Sequence, residues 1–378
     1  MSIRIAFPFF RHSYHVYHGA PTAFELSLLD ANLDVQFFSA YKDTTDLLVE
    51  LGALYPGHRC KINILSQLPM FRYFNFKNRP FPKPQKMIDL HADRFRDMDV
   101  IVDTSDSLLR LIKVHGITSP KYISVFHGAG DRNREFPERL KKFQYFLLYG
   151  PKKYRRLNDL GLLNEDNWAK GGYPKFDIIS RTHINVKSFF SDNRPIVLYN
   201  PHFERKLSSW YRWGRKILDY FKQSLRYNLI FAPHIELKGR KQRYLSLKKY
   251  ADIPNIHLDL GSHSSIDMTY TRLADIYLSD VSSQVVEYLL DPRPCIFLNS
   301  HKISWENNLH YAHWSLGPVV EKLSQLDGML EKAFQTHNQY VAAQIKYFKD
   351  SIELTDVSSG KRSAEAIQAF IKKEIRRV

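Results

Sequence analysis

The stretch LADIYLSDVSSQVVEYLLDPRPCIFLN, residues 273–299, indicates the fold class of this chain. Its pattern predicts a buried strand over 275–279, a polar turn over 280–283, a helix to about Leu290 and a second apolar strand over 294–299. A strand, a turn, a helix and another strand in this order are typical of a β-α-β unit with parallel strands. Ligands of such folds bind beyond the carboxyl ends of the strands, where the polar turn falls.

The polar turn offers hydrogen-bonding groups to an anion. Asp280, Ser282 and Ser283 stand where the predicted helix begins, so hydroxyls and free backbone N–H groups converge at the positive end of its dipole. That combination suits a phosphate. The alternative is that Asp280 or Ser282 only caps the helix. Glu287, about one and a half turns later, would hydrogen-bond a ribose or lie on a solvated face, and the local pattern leaves both open.

The same alternation of strands and helices recurs along the whole chain. At 378 residues the chain is too long for one ordinary core. We therefore expect an α/β protein with two β-α-β halves facing across a cleft: a first domain over 1–185, a second over 186–355 and a C-terminal helix over 356–378 that packs back on the first. The glycine pair Gly171-Gly172 marks the expected crossing between the domains, and the first helix is expected from Thr22 to Leu33.

The composition describes a globular protein, with 44% hydrophobic and 25% charged residues. No run of eighteen apolar residues occurs, and the first residues, MSIRIAFPFF, predict a strand rather than a signal peptide. We expect a cytoplasmic location. Cys60 and Cys295 lie far apart and predict neither a disulfide framework nor a metal site.

A net charge of +16 points to an anionic partner, which would be nucleic acid, a membrane surface or a phosphorylated substrate. We expect no nucleic acid, because no motif of a nucleic-acid-binding module is present. Basic and aromatic residues alternate in Phe71–Lys86 and Ser208–Tyr227. Either segment would rest on the inner face of an anionic membrane, or its aromatic residues would belong to the core and its charges to a solvated face.

Several histidines follow predicted strands. His127 comes directly after the strand 122–126, and Gly128 and Gly130 beside it allow close approach of a ligand. His234 follows the strand 229–232, and Asn200 begins the loop after the preceding strand, 196–199. His12, His15 and His18 are spaced by three, but without acidic or cysteine partners they do not predict a metal site.

These strand-end residues carry a resemblance to the CDP-glycerol glycerophosphotransferase family, which builds teichoic-acid and related capsule polymers. The matching motifs, in chain order, are His127-Gly128, Tyr149-Gly150-Pro151, Gly171-Gly172-Tyr173-Pro174-Lys175-Phe176-Asp177, Leu198-Tyr199-Asn200-Pro201, Pro233-His234, Leu278-Ser279-Asp280-Val281-Ser282-Ser283, Glu287-Tyr288 and Arg293-Pro294. The chain departs from the family at Val281, where a Tyr is usual, and at His202-Phe203. Residues 1–120 match poorly, so the resemblance supports the donor better than the acceptor.

The resemblance implies a GT-B-type pair of Rossmann-like domains and a nucleotide-activated donor, linked to CDP or UDP, held by the C-terminal domain. It implies transfer of glycerol phosphate or ribitol phosphate to a polymer or lipid-linked acceptor. An imidazole can accept a proton at neutral pH, and a protonated one stabilises phosphate oxygens. We therefore expect His127 to be the base, with a pKa not far from neutrality, and His234 to be a catalytic phosphate ligand.

The remaining expected donor-binding residues are Asp280, Ser282, Ser283, Glu287, Asn200, Gly128 and Lys175. Each histidine has a structural alternative, in which a neighbouring carbonyl satisfies the ring. No paired acidic motif follows a strand, so we expect no metal, no obligatory Mg²⁺ and no cofactor. Alternative functions are a glycosyltransferase that uses a nucleotide sugar, a sugar-nucleotide epimerase and, least favoured, a non-enzymatic polyanion binder.

Overall fold

The computed structural model describes residues 2–65, 83–131, 137–182, 189–237 and 245–375. The chain divides into two compact units, each described by itself below. Unit 1 comprises Met1–His127, Arg134–Thr182 and Asp350–Val378, and unit 2 comprises Gly128–Asn133 and His183–Lys349. Most of the segment Phe71–Lys86 lies outside the described residues.

Unit 1 is built on a parallel sheet of seven strands. The strands are β1 Ile3–Phe9, β2 Leu33–Ser39, β3 Lys61–Ile64, β4 Val100–Asp103, β5 Lys121–Val125, β6 Tyr145–Leu148 and β7 Trp168–Lys170. The helices between them are α1 Val16–Leu29, α2 Lys42–Gly52, α3 Pro84–Leu90, α4 Leu109–His115, α5 Pro137–Leu140, α6 Pro151–Asp159 and α7 Lys175–Ile179. The strand order is β3-β2-β1-β4-β5-β6-β7.

Unit 2 is built on a second parallel sheet. Its strands are β8 Ile196–Asn200, β9 Asn228–Phe231, β10 Ile256–Leu258, β11 Ile276–Ser279, β12 Cys295–Leu298 and β13 Val319–Val320. Its helices are α8 Arg215–Gln223, α9 Thr269–Leu273, α10 Gln284–Tyr288, α11 Leu326–Thr336 and α12 Val341–Ser351. The strand order is β10-β9-β8-β11-β12-β13, which is the 3-2-1-4-5-6 order of a Rossmann fold.

The strands predicted from continuous apolar runs are present. β8, β11 and β12 are buried along their whole length, as expected for strands of a sheet that is covered on both faces. Proline occupies the first helical turn of α3 and of α6, where its missing N–H leaves no intrahelical bond unmade. An apolar core packs against each sheet.

Two helices differ from their predicted bounds, and a third begins with a π-helical turn. α1 begins at Val16 rather than Thr22 and contains Pro21, so the expected loop with His18 is helical. α10 has five residues and ends at Tyr288, which makes its dipole smaller than a helix reaching Leu290 would have. The segment from Trp210 forms a π-helical turn, Trp210–Gly214, which continues into α8.

The last helix, α13 Ser359–Glu374, belongs to unit 1 and packs against α1 and α7. The glycine pair predicted as a domain crossing lies beside it instead, and the Ser363 hydroxyl donates a 3.1 Å hydrogen bond to the Gly171 carbonyl. The chain enters unit 2 briefly at Gly128–Asn133, returns to unit 1 and passes on to unit 2 again after Thr182. Among the described residues, none of the helices combines the length and the apolar character that crossing a membrane requires.

Candidate functional site

Each sheet has a point where its strand order reverses, and ligands of open parallel sheets bind in the crevice at such points. In unit 1 this point lies between β1 and β4, and in unit 2 between β8 and β11. The register in unit 2 pairs Ser279 with Asn200, so the carboxyl ends of β8 and β11 are level. The two candidate sites are therefore the loops after these four strands.

In unit 1, the loop after β1 brings histidines to the end of β4. The His15 Nδ1 lies 3.1 Å from the Thr104 hydroxyl, and the His15 and His127 ring centroids are 4.2 Å apart. The His18 ring lies 6.2 Å from that of His127. A Cβ on Gly19 would lie 3.0 Å from the Thr104 side chain, so α1 comes this close to β4 because residue 19 is glycine. Three histidines thus form one cluster.

The hydrogen bond of His127 fixes which of its nitrogens can act as a base. Its Nδ1–H donates to the Thr104 carbonyl, which can only accept. In the neutral ring the lone pair is therefore on Nε2, the nitrogen that remains able to take a proton. A neighbouring carbonyl satisfies one ring nitrogen of His127, as expected of a structural histidine. The same hydrogen bond leaves Nε2 unprotonated in the neutral ring, which is the tautomer that a general base needs.

Burial lowers the pKa of His127 to about 4, while the Thr104 bond raises it and the nearby Arg11 and Lys153 charges lower it further. The expectation of a pKa not far from neutrality is wrong, because the sequence does not reveal that the ring is partly buried among other cationic and imidazole groups. At neutral pH the ring is unprotonated and ready to accept a proton.

The other two histidines of the cluster are neutral for the same reason. Burial is the main cause that lowers the pKa of His15 and of His18 well below the ordinary value. Within the described residues the His15 Nε2 and the His18 Nδ1 have no hydrogen-bond partner. The charge of Lys175 also lowers the pKa of His18. Lys175 is buried in unit 1, so it does not share a unit with the other expected donor-binding residues.

In unit 2, Asp280 follows β11 and is completely buried. Its Oδ1 accepts from the backbone N–H groups of His202 and Val281, at 2.8 and 2.6 Å. Its Oδ2 accepts from the Ser209 N–H and hydroxyl, at 2.5 and 2.7 Å. Burial raises the pKa of Asp280, and these bonds lower it. The carboxylate does not cap α10, and its bonds to protein groups tie the loop after β8 to the turn after β11.

Asn200 serves the same structure. Its Nδ2 donates to the Ala232 carbonyl at 2.6 Å, and its Oδ1 accepts from the Tyr277 hydroxyl at 3.1 Å. The side chain is buried and joins the ends of β8, β9 and β11. Asn200 therefore positions the loops and is occupied by protein groups.

Two imidazoles lie close together beyond β8 and β9. The His202 and His234 ring centroids are 5.8 Å apart. The Nδ1 of His202 accepts from the Glu204 N–H at 3.1 Å, and the Nδ1 of His234 accepts from the Glu236 N–H at 3.2 Å. In both neutral rings the proton is therefore on Nε2, which is a donor. This tautomer is opposite to that of His127 and suits contacts to phosphate oxygens.

The turn before α10 places Ser282 and Ser283 beside a glycine-containing segment. Ser283 is exposed, and its hydroxyl makes no hydrogen bond within the described part of the chain, whereas Ser282 is buried. Gly128, at φ +76°, and Gly130 pack against Ser283, where a Cβ on Gly130 would lie 2.9 Å from the Ser283 Cβ. Glu287 is buried on α10, so the alternative of a solvated residue is wrong.

Several side chains of the two candidate sites were not predicted from the sequence. His15 and His18 were recognisable only by their spacing, and the switch point between β1 and β4 is the signal that could have joined them to His127. Trp314 donates from Nε1 to the Asp280 carbonyl at 2.8 Å, and nothing in its local sequence indicates that contact.

Two Rossmann-like domains with these strand orders define a protein of the GT-B fold. Among solved structures, the chain is similar to the wall teichoic acid polymerase TagF soaked with CDPG, at 14% identity and a TM-score of 0.63, over 99% of this chain and 89% of that one. It is also similar to a putative UDP-N-acetylglucosamine 2-epimerase from Listeria monocytogenes, at 12% identity and a TM-score of 0.65, over 99% and 98% of the two chains.

A UDP-GlcNAc 2-epimerase from Neisseria meningitidis bound to UDP-GlcNAc is similar at 13% identity and a TM-score of 0.56, over 99% of this chain and 100% of that one. No protein-family model matches the chain, and no curated protein does. At such identities the likeness establishes the fold, and function has to be argued from the residues.

Proposed function

We propose that this protein is a transferase that moves glycerol phosphate or ribitol phosphate from a CDP-linked donor to a cell-surface polymer or lipid-linked acceptor. The observation that carries the proposal is the tautomer of His127, whose Nδ1–H is held by the Thr104 carbonyl and whose Nε2 is left to accept a proton. The motif order and the likeness to TagF soaked with CDPG favour this donor class.

In the proposed reaction the acceptor hydroxyl gives its proton to the His127 Nε2 as its oxygen bonds to the outer phosphorus of the donor. The bond between that phosphorus and the bridging oxygen breaks, and CMP leaves with the bridging oxygen and its electron pair. Hydrogen-bond donors that point at the leaving phosphate stabilise its negative charge. The Nε2–H groups of His202 and His234 and the hydroxyls of Ser282 and Ser283 are our candidates.

The other predicted residues have supporting roles in this proposal. Asp280 and Asn200 position the loops rather than contact the donor, because protein groups occupy their side chains. Gly128 gives close backbone approach, Glu287 binds the ribose, and Lys175 binds a phosphate in unit 1. An anionic substrate beside His127 would raise its pKa and make it a stronger base.

A nucleotide-sugar reaction is the second candidate, because the likeness to the Listeria epimerase is as strong as that to TagF. Incubation with CDP-glycerol, CDP-ribitol, UDP-sugars and CMP-sugars, with thermal shift and product analysis, tests both. Stabilisation by a CDP-polyol and release of CMP support the first proposal. Stabilisation by UDP-GlcNAc with release of UDP supports a glycosyltransferase, and inversion without release supports an epimerase.

We also propose that the protein lies at the cytoplasmic face of an anionic membrane. Trp210, Phe221 and Tyr227 are buried, so the aromatic residues of this segment belong largely to the core. Exposed basic residues remain on the same segment: Arg212, Arg215, Lys216, Lys222 and Arg226. Each contributes about 1 kcal/mol near an anionic surface. Vesicle co-sedimentation should rise with anionic lipid and fall with salt, and equal binding to neutral vesicles contradicts the proposal.

A further inference from the structure

In unit 2, His313 has a hydrogen-bond acceptor at each ring nitrogen. Its Nδ1 lies 2.8 Å from the Asp131 Oδ2, and its Nε2 lies 3.1 Å from the Asp280 carbonyl oxygen. The imidazole and the Asp131 carboxylate are both buried, with side chains 4% and 2% exposed. The pair therefore lies in a part of the molecule that water hardly reaches.

The two contacts determine how many protons the ring carries. A carboxylate and a carbonyl oxygen only accept, whereas a neutral imidazole has one N–H and one lone pair. Both contacts are hydrogen bonds only if both nitrogens are protonated, that is, if His313 is an imidazolium. A buried cation needs a counter-charge, and the Asp131 carboxylate supplies it at hydrogen-bond distance.

The carboxylate of Asp131 is held in place from several sides. Besides the ring, its Oδ2 accepts from the His313 backbone N–H at 2.9 Å, and its Oδ1 accepts from the Tyr347 hydroxyl at 2.7 Å. These are charge-assisted bonds to a fixed group, which are the stronger kind. The ion pair is therefore a rigid connection and not a surface contact.

This connection joins two segments of the proposed site. Asp131 ends the segment 128–131, which follows the proposed base His127 directly and packs through Gly130 against Ser283. The Asp280 carbonyl belongs to the turn that carries Ser282 and Ser283. The Asp131–His313 pair thus fixes the backbone that leaves His127 to the backbone of the proposed phosphate-binding turn.

We propose that His313 is a protonated positioning residue which, paired with Asp131 and supported by Tyr347, holds these two segments in register for transfer. Its effect on transfer rests on the proposed function above, whereas its protonation state can be measured without any substrate. Sequence patterns could not indicate this pair, because Asp131 and His313 are 182 positions apart.

The protonation state is tested on the full chain by ¹⁵N NMR of the histidine rings, with the His313 signals assigned from a His313→Gln spectrum. At neutral pH we expect both His313 nitrogens to be protonated. In Asp131→Asn the counter-charge is absent, and we expect one of them to lose its proton. A neutral His313 ring in the unchanged protein overturns the proposal, as does a ring that stays doubly protonated in Asp131→Asn.

The positioning role is tested by kinetics of the same variants. Misplacement of reacting groups by about 1 Å reduces rates on the order of 10²-fold, and we expect a loss of this size in kcat for Asp131→Asn. Tyr347→Phe, which removes one bond and keeps both charges, should lose less and unfold like the unchanged protein. Tyr340→Phe, from the same stretch of chain but without a bond to Asp131, is the matched control.

The outcomes separate the two proposals. If Asp131→Asn and Tyr347→Phe are folded and transfer at the rate of the control, His313 is not a positioning residue. If the unchanged protein transfers nothing from any CDP-polyol, the proposed function fails, while the NMR result still decides the state of His313.

Discussion

Asp103 in unit 1 and Asp280 in unit 2 lie at the carboxyl ends of comparable strands across the switch point. Asp103 is the last residue of β4, and Asp280 directly follows β11. Both are buried carboxylates that accept backbone N–H groups. Asp103 accepts from Ser105 and Leu108, which are its near neighbours in the chain, at 2.8 Å each. Asp280 accepts from residues 71 and 78 positions away.

A buried carboxylate at the end of a strand thus serves a different purpose in each unit. The Asp103 bonds close a local turn and leave the loop after β1 to carry a histidine cluster. The Asp280 bonds hold the loop after β8 against the turn after β11, so the donors of the proposed phosphate site are positioned before a ligand arrives. The histidine tautomers also differ between the units. The Nε2 of His127 in unit 1 is an acceptor, whereas the Nε2–H groups of His202 and His234 in unit 2 are donors.

The largest effect is expected at His127, whose tautomer predicts a role as the base and no role in binding the nucleotide. His127→Ala should reduce transfer by about 10²–10⁴-fold, because a general base is lost, with little change in nucleotide affinity. Steady-state kinetics and calorimetry measure the two quantities. His12→Ala, a histidine of the loop after β1, is the control. A variant that retains more than about a tenth of the turnover would show that His127 is structural.

The next effect is expected in unit 2, at the hydroxyls of the proposed phosphate turn. The double variant Ser282→Ala, Ser283→Ala should weaken nucleotide binding by roughly 1–3 kcal/mol, since hydrogen bonds to a charged group are lost. Titration calorimetry measures the affinity, and Ser119→Ala, an exposed serine of unit 1, is the control. Unchanged donor affinity in the double variant would show that these hydroxyls do not bind the nucleotide.

The two carboxylates themselves provide a matched pair. Asp280→Asn and Asp103→Asn should each lose about 2 kcal/mol of unfolding free energy, because an amide NH₂ cannot accept from the backbone N–H that faces it. Only Asp280→Asn should also weaken nucleotide binding, since only that carboxylate fixes the proposed donor loops. Equal effects of both variants on affinity would contradict the comparison.

The smallest effect concerns acid stability and the cluster in unit 1. Burial holds the pKa of folded His18 well below that of the unfolded chain, about 6.5. Above that value the group is neutral in both states, and as the pH falls below it only the unfolded chain binds the proton, so stability falls. One such group gives a slope of about 1.4 kcal/mol per pH unit. His18→Phe should reduce the acid loss by this slope in urea unfolding at several pH values, and an unchanged slope would contradict the neutral state.

Local patterns predicted the fold well, because buried parallel strands are continuous apolar runs such as those of β8 and β11. The strands β3, β7 and β13 were not predicted, and β7 and β13 have three and two residues, too few to show a period. α1 begins at Val16 rather than Thr22, and it contains Pro21, a residue that usually interrupts a helix.

The sequence predicts which strand-end loops carry the candidate residues, but not the contacts that these residues make. The loops after β5, β8, β9 and β11 follow from topology, so His127, His234 and the serines could be found in the sequence. The role of Asp280 as an anchor depends on partners more than seventy positions away, and the tautomer of His127 depends on a carbonyl from another strand. Such long-range contacts, and the burial that lowers a pKa, exist only in the folded chain.

The packing of α13 on α1 has a consequence for biosynthesis. The first helix ends at Leu29 and its partner begins at Ser359, so roughly 330 residues emerge from the ribosome between them. At translation rates of about 5–20 residues per second, the face of α1 that packs against α13 stays uncovered for roughly 15–70 s. The strands of unit 2 are all made within that interval, so unit 2 can fold first. We therefore expect chaperones to bind α1 of the nascent chain until α13 has left the ribosome.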